Sequence, residues 1–191
     1  MKKLFLVIVL TFVFQSFAKT EDIRDYDIEG IRIGDSILTH FSVEKIESGL
    51  KDWYPDKTFS YTEFSDYKIK EFDNLGFYFK PGDKGYKIYS IAAMKFCLDD
   101  IQICHNLQNK MEKKFEKIFN NVKKSKKKLQ YPNDENHGTD SIVIQTIYNF
   151  NNGNEVVIET KDWATDSKYK DNVSINIDTK IFSDWLTSIS K

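Results

Sequence analysis

The reactive side chains of this chain are few and scattered. Its cysteines are Cys97 and Cys104, and its histidines are His40, His105 and His137. A C-x6-C pair is not the C-x-x-C spacing that lowers a thiol pKa at a helix start. In an oxidising compartment two nearby thiols pair, so the leading expectation is a structural disulfide between the end of a strand and the first turn of a helix. A redox couple and two free thiols are the alternatives. His105 follows Cys104 directly, and adjacent helical residues point about 100° apart, which rules out a nucleophilic dyad. No histidine stands at a recognised metal spacing from a second ligand, and no H-E-x-x-H is present. Asp134, Glu135, His137 and Asp140 crowd one loop with Gly138. Hard cations want several oxygens, but the spacing is not that of a calcium loop, so the cluster reads first as a polar loop. Asp99 and Asp100 suit a helix N-terminus, where carboxylates satisfy free N–H groups. No G-x-S-x-G elbow, S-x-x-K or phosphate loop appears. Hence no catalytic residue, metal ligand or cofactor is expected.

The sharpest charge feature is the run Lys123, Lys124, Lys126, Lys127 and Lys128. It is a candidate contact for an anionic surface such as lipid head groups. The plainer reading is a solvated helix C-terminus, where cations suit the dipole. Trp53, Tyr54, Tyr61 and Tyr67 are candidates for stacking on a sugar or lining a partner's groove. Burial in a core is the commoner fate of such rings.

These residues sit in a chain that begins with an export signal. Met1-Lys2-Lys3 is basic, Leu4 to Phe14 is uncharged, and Ser16-Phe17-Ala18 puts small residues before a cut at Lys19. That is the three-part pattern of a signal peptide. The apolar run is too short to span a bilayer, which takes ~20 residues. The expected organisation is therefore a signal peptide over 1–18 and one domain over 19–191. That domain is readable as two helix-plus-three-strand halves, about 26–97 and 99–191. No transmembrane segment is expected in the mature chain. Because Lys19 rather than a cysteine follows the cut, no lipid anchor is expected either. The product would be periplasmic or secreted. With 15 Phe and 10 Tyr the chain has ample core material, which argues against disorder. Its formal charge of −1, or −3 without Lys2 and Lys3, does not suit a nucleic-acid partner. The richness in Lys, Asn, Ile, Phe and Asp points to an A+T-rich, bacterial genome.

Hydrophobic periodicity places the elements. Tyr26 to Ile33 alternates as a first strand. Gly34-Asp35-Ser36 then turns into a short helical region, which Ser42 restarts and Gly49 ends. Thr58 to Phe96 reads as antiparallel strands with a turn at Pro81–Gly85. Cys104, Leu107, Met111, Phe115, Ile118 and Val122 step by three and four, marking a long amphipathic helix. Asp99 with Gln102 gives it a capping-box-like start. Further strands follow, with a hairpin at Asn152-Gly153. Val173, Ile175 and Ile177 mark the last of them. A closing helix through Phe182, Trp185 and Leu186 is capped by Asp178 or Thr179.

The expected fold class is α+β: antiparallel sheet packed against one long central amphipathic helix, with shorter helices near the two termini. Ile31-Arg32-Ile33-Gly34-Asp35-Ser36, leading into a helix, resembles the opening of small exported α+β modules. These are the β-lactamase-inhibitor-protein-like group and the small lipoproteins of outer-membrane assembly. The whole chain also resembles small secreted bacterial proteins. The resemblance implies a sheet covered by helices on one side and a role in binding another protein. The expected function is a non-catalytic extracytoplasmic binding or protein-interaction module, its partner an unidentified protein or envelope component. The alternative is a small secreted hydrolase with a site assembled from distant residues. An enzyme requires converging Asp, Glu, His or Lys in a concave pocket, and a binding module an exposed aromatic patch.

Overall fold

The computed structural model of the protein describes residues 22–65, 70–98, 100–119 and 121–189. The signal segment 1–18 with its cut before Lys19, the strand positions Tyr67 and Ile69, and Asp99 lie outside the described residues.

Among the described residues there are eight strands: β1 (Leu50–Lys51), β2 (Ser60–Phe64), β3 (Asn74–Phe79), β4 (Ser90–Phe96), β5 (Lys123–Gln130), β6 (Ile142–Asn149), β7 (Glu155–Asp162) and β8 (Asn172–Asp178). All join one antiparallel sheet in the order β1-β2-β3-β4-β8-β7-β6-β5. Each set of four is a meander of neighbouring strands. The two meanders meet at the centre, where β4 and β8 pair from Ser90↔Asp178 to Phe96↔Asn172. Three α-helices among the described residues accompany the sheet: α1 (Val43–Ser48), α2 (Ile101–Ile118) and α3 (Lys180–Ile189).

The fold is therefore predominantly β. The expected α+β class, organised on a long central helix, is corrected by the eight-stranded sheet, beside which α2 is a single 18-residue element. Much of the difference lies in the lysine run. Lys123 to Gln130 is not a helical tail but an edge strand, paired with β6 from Lys123↔Asn149 to Gln130↔Ile142. Lysines on an edge strand block pairing with a further chain, so their placement agrees with β structure although their propensity does not favour it. The expected first strand is absent too. Ile28 and Ile31 make one isolated bridge around a turn in which Glu29 and Gly30 take positive φ.

Side chains alternate between the two sheet faces. One face carries Leu75, Phe77, Ile91, Ala93, Ile158, Ile175 and Ile177, which with Phe41, Ile46 and Phe115 form the main core. Within it Phe41 stacks on Phe64 at 4.0 Å, and Phe115 lies 4.4 Å from Tyr148. The buried positions of α2 are Cys104, Gln108, Glu112 and Phe115. Ile118 of the expected stripe is exposed instead. Two polar residues have thus replaced it inside, for reasons visible on β5 and β6. Glu112 Oε2 is 3.0 Å from Lys124 Nζ and 2.9 Å from Lys126 Nζ. Its Oε1 accepts from Thr146 Oγ1 at 2.7 Å and Gln108 Nε2 at 3.2 Å. Burial disfavours the ionised form of Glu112. The hydrogen bonds from Lys126, Thr146 and Lys124 outweigh that and hold its carboxyl below the usual range.

Helix ends follow local chemistry. Ser36 Oγ accepts from Leu38 N at the 3-10 turn Ile37–Thr39, and Ser42 Oγ from Lys45 N at α1. Asp100 caps α2 through Gln102 N. At α3 the cap is Thr179, whose Oγ1 accepts from Phe182 N; Asp178 is the buried end of β8, not a cap. Cys97, just past β4, and Cys104, in the first turn of α2, are at disulfide distance with Cα atoms 5.8 Å apart. The loop between them is short, so reduction, or Cys97→Ser with Cys104→Ser, is expected to lower stability by ~2–3 kcal/mol. Urea unfolding with and without reductant measures this, and coincident curves would contradict it.

Candidate functional site

The second face of the sheet is arranged in three rows running across the strands, fixed by register. The first is Tyr61↔Tyr78↔Ser90↔Asp178↔Glu155. The middle one is Glu63↔Gly76↔Ala92↔Asn176↔Val157. The third is Asn74↔Met94↔Ser174↔Glu159↔Gln145. Gly76 and Ala92 make the middle row low, and the flanking rows rise beside it. The result is a trough of about 490 Å³. A larger groove of about 830 Å³ lies between the turn at Ile23–Asp25 and the start of α3. There Arg24 is already bonded to Asp22, and Lys180 to Asp184. No buried ionisable group lines that groove, so the trough is the better candidate.

One wall of the trough is aromatic. Phe59, Tyr61, Tyr78, Phe182 and Trp185 form a second core, which brings α3 onto this face. α3 thus lies on the sheet face opposite α2. Trp185 Nε1 donates to Asp56 Oδ1 at 2.7 Å, tying the segment after β1 to α3. Of the rings expected as a surface patch, Trp53 is exposed, Tyr54 half-buried and Tyr61 buried; Tyr67 lies outside the described residues. Trp53 packs on Tyr61 at 4.6 Å, and Tyr61 on Tyr78 at 4.5 Å. Burial, helped by the Glu63 charge, raises the Tyr61 pKa. Its hydroxyl stays protonated and donates to Glu63 Oε2 at 2.9 Å.

Tyr61 reaches Glu63 by folding over Gly76. A Cβ at Gly76 would meet the Tyr61 hydroxyl oxygen at 2.1 Å and its ring carbons at 2.5 Å. Packed between Trp53 and Tyr78, that ring has little room to retreat. Gly76→Ala is expected to cost about 1–3 kcal/mol by overpacking and to turn Tyr61 out. A thermal melt with the indole signal of Trp53 reads both effects. An unchanged melt would contradict this packing.

The other wall is ionic. Glu159 is buried and bound by three neighbours: Lys161 Nζ at 2.8 Å, Gln145 Nε2 at 2.7 Å and Ser174 Oγ at 3.3 Å. Burial opposes its charge. The Lys161 charge and these hydrogen bonds prevail and hold the carboxyl below its usual range. Asp178, only 5% exposed, has the opposite environment. Ser90 Oγ donates to its Oδ1 at 2.5 Å, but no cation faces it and Glu155 stands directly opposite. Burial first, then the Glu155 and Glu159 charges, push its pKa up to about 7.

The earlier candidates lie elsewhere. None of the three histidines lines the trough. His137 Nδ1 is 2.6 Å from Asp134 Oδ2. Asp134 also accepts from the backbone N–H groups of Asn136 and His137, bonds that bring its pKa down to about 2. Asp134 is thus used in holding its loop, Asp140 accepts from Gln130 Nε2 at 3.2 Å, and Glu135 is exposed; among the described residues no group of three or more ligands could hold a metal. Lys124 and Lys126 turn to Glu112, whereas Lys123 and Lys127 lie on the other face of β5; these two and Lys128, on the face of Lys124 and Lys126, are exposed. Among the described residues no helix is long and apolar enough to cross a membrane.

Sequence reasoning missed Asp178, Glu155 and Glu159. A signal was present: Asn172, Ser174, Asn176 and Asp178 alternate with Val173, Ile175 and Ile177, a strand with one polar face. Comparison with protein-family models, with curated proteins and with solved structures finds no match.

Proposed function

We propose that the chain is a non-catalytic, extracytoplasmic binding module that receives its partner in the trough. One observation carries this reading: a concave sheet face holds an aromatic wall, an ionic wall and a buried acid whose burial opposes folding at neutral pH. Proteins tolerate such costs at functional sites. The signal-like residues 1–18 and the Cys97–Cys104 pair support an oxidising location.

The hydrolase reading draws on the same acids, since Asp178 and Glu159 have pKa values pushed in opposite directions. Their placement does not suit it. Glu159 faces Ser174, four residues before Asp178, which puts the two about 13 Å apart along β8. The paired carboxyl groups of glycosidases stand no more than about 9.5 Å apart.

The test is chemical-shift mapping of the full chain with three probes: maltohexaose, spermine and a capped (Gly-Lys)3 hexapeptide. Binding should shift the amides of Ala92, Asn176 and Val157 and the Trp53 indole, and return each probe chemically unchanged. Shifts confined to the α2 face, or cleavage of a probe, would overturn the proposal.

A further inference from the structure

The ligand chemistry of the trough is legible in its charges, rings and length, and it rests on the trough being the binding face. Among the described residues four carboxyl groups line it, those of Glu63, Glu155, Glu159 and Asp178, against a single cation, Lys161. Lys161 is committed to Glu159 at 2.8 Å. Among the described lining residues no cation is left for Glu63 or Glu155, which are half-buried at opposite ends of the trough. Glu63 is engaged by the neutral Tyr61 hydroxyl. Beside it Trp53 presents an exposed ring against Tyr61. Aromatic faces attract ammonium and guanidinium groups, and a neighbouring carboxylate adds to that attraction. The middle row crosses five strands, from β2 to β7. Four spacings of about 4.8 Å make it roughly 19 Å long, the span of about six extended residues. A small amine would occupy only one end.

We infer that the trough takes an extended basic segment of a partner polypeptide, with one Lys or Arg side chain against Trp53 and Glu63 and a second against Glu155. The low floor at Gly76 and Ala92 leaves room for the backbone. Asn176 and Asn74 offer it side-chain amide donors and acceptors.

Calorimetric titration of the full chain tests this with the capped (Gly-Lys)3 hexapeptide, its (Gly-Glu)3 counterpart, spermine and maltohexaose. The lysine peptide should bind, and its affinity should fall as salt rises. Glu63→Gln and Glu155→Gln should each weaken it about tenfold, and Trp53→Ala by a similar factor, with melting temperatures showing all three variants folded. Preference for the glutamate peptide or maltohexaose, with shifts still in the trough, would sink the basic-segment inference and leave the binding reading standing. Spermine binding as tightly as the peptide would replace the polypeptide with a small polyamine. If no probe reaches the trough, both readings fail.

Discussion

Replacing Lys124 and Lys126 together with methionine is expected to destabilise the protein by about 3–5 kcal/mol, although both lysines belong to an exposed, charged edge strand. Their partner is the reason. Glu112 is buried under α2, and these two ammonium groups are its cations. Methionine keeps the apolar stem but leaves an uncompensated carboxylate. Adding Glu112→Gln should restore much of the loss, since the triple variant no longer buries a charge; the effects are then strongly non-additive. The pH dependence should invert as well. In the native protein the Glu112 pKa is lowered, so its contribution is present above the unfolded value and lost as pH falls through the folded one. In the double variant the carboxyl is raised, and acid should stabilise. Urea unfolding followed from about pH 3 to pH 8 measures all of this. A double variant as stable as the native chain would show that the run is an ordinary solvated surface.

Asp178→Asn should act in the other direction. A folded pKa of about 7 against an ordinary 3.8 means that the folded protein holds a proton the unfolded chain releases. Stability from this group is complete below the unfolded value, declines as pH rises between the two, and is lost above about 7. The span corresponds to at most about 4 kcal/mol. Asparagine keeps an acceptor for Ser90 Oγ and removes the titration. The variant should match the native protein near pH 4 and exceed it by up to about 4 kcal/mol at pH 8. A constant difference between the two pH values would show that Asp178 ionises normally. Glu155 and Glu159 face the same region and remain in both proteins.

The two predictions also mark where reading the sequence succeeds and where it stops. Strands alternating in apolar residues, such as Val173, Ile175 and Ile177, are visible without a structure, as are the turn at Gly34-Asp35-Ser36, the helical restart at Ser42 and the close cysteine pair. These are local properties. The lysine run is opaque because its strand identity comes from eight residues of pairing with β6, a partner beyond a polar loop. The buried face of α2 is mis-set for a related reason. Gln108 and Glu112 look like surface residues until Thr146, Lys124 and Lys126 arrive from other strands to satisfy them. The trough is the extreme case, because its rows draw residues from β2, β3, β4, β8, β7 and β6, and only register makes Asp178 the neighbour of Ser90 and Glu155. A carboxylate that resembles a helix cap in one dimension is a buried acid in three.

The most direct test of the trough as the recognition surface is to fill it. Ala92 sits half-buried at the centre of the low middle row, and Ala92→Trp places a large ring there without touching either wall's charges. Calorimetry with the (Gly-Lys)3 peptide should show affinity lost by at least about tenfold while the thermal melt confirms a folded chain. A folded Ala92→Trp protein that binds the peptide as tightly as the native one would place recognition elsewhere on the molecule.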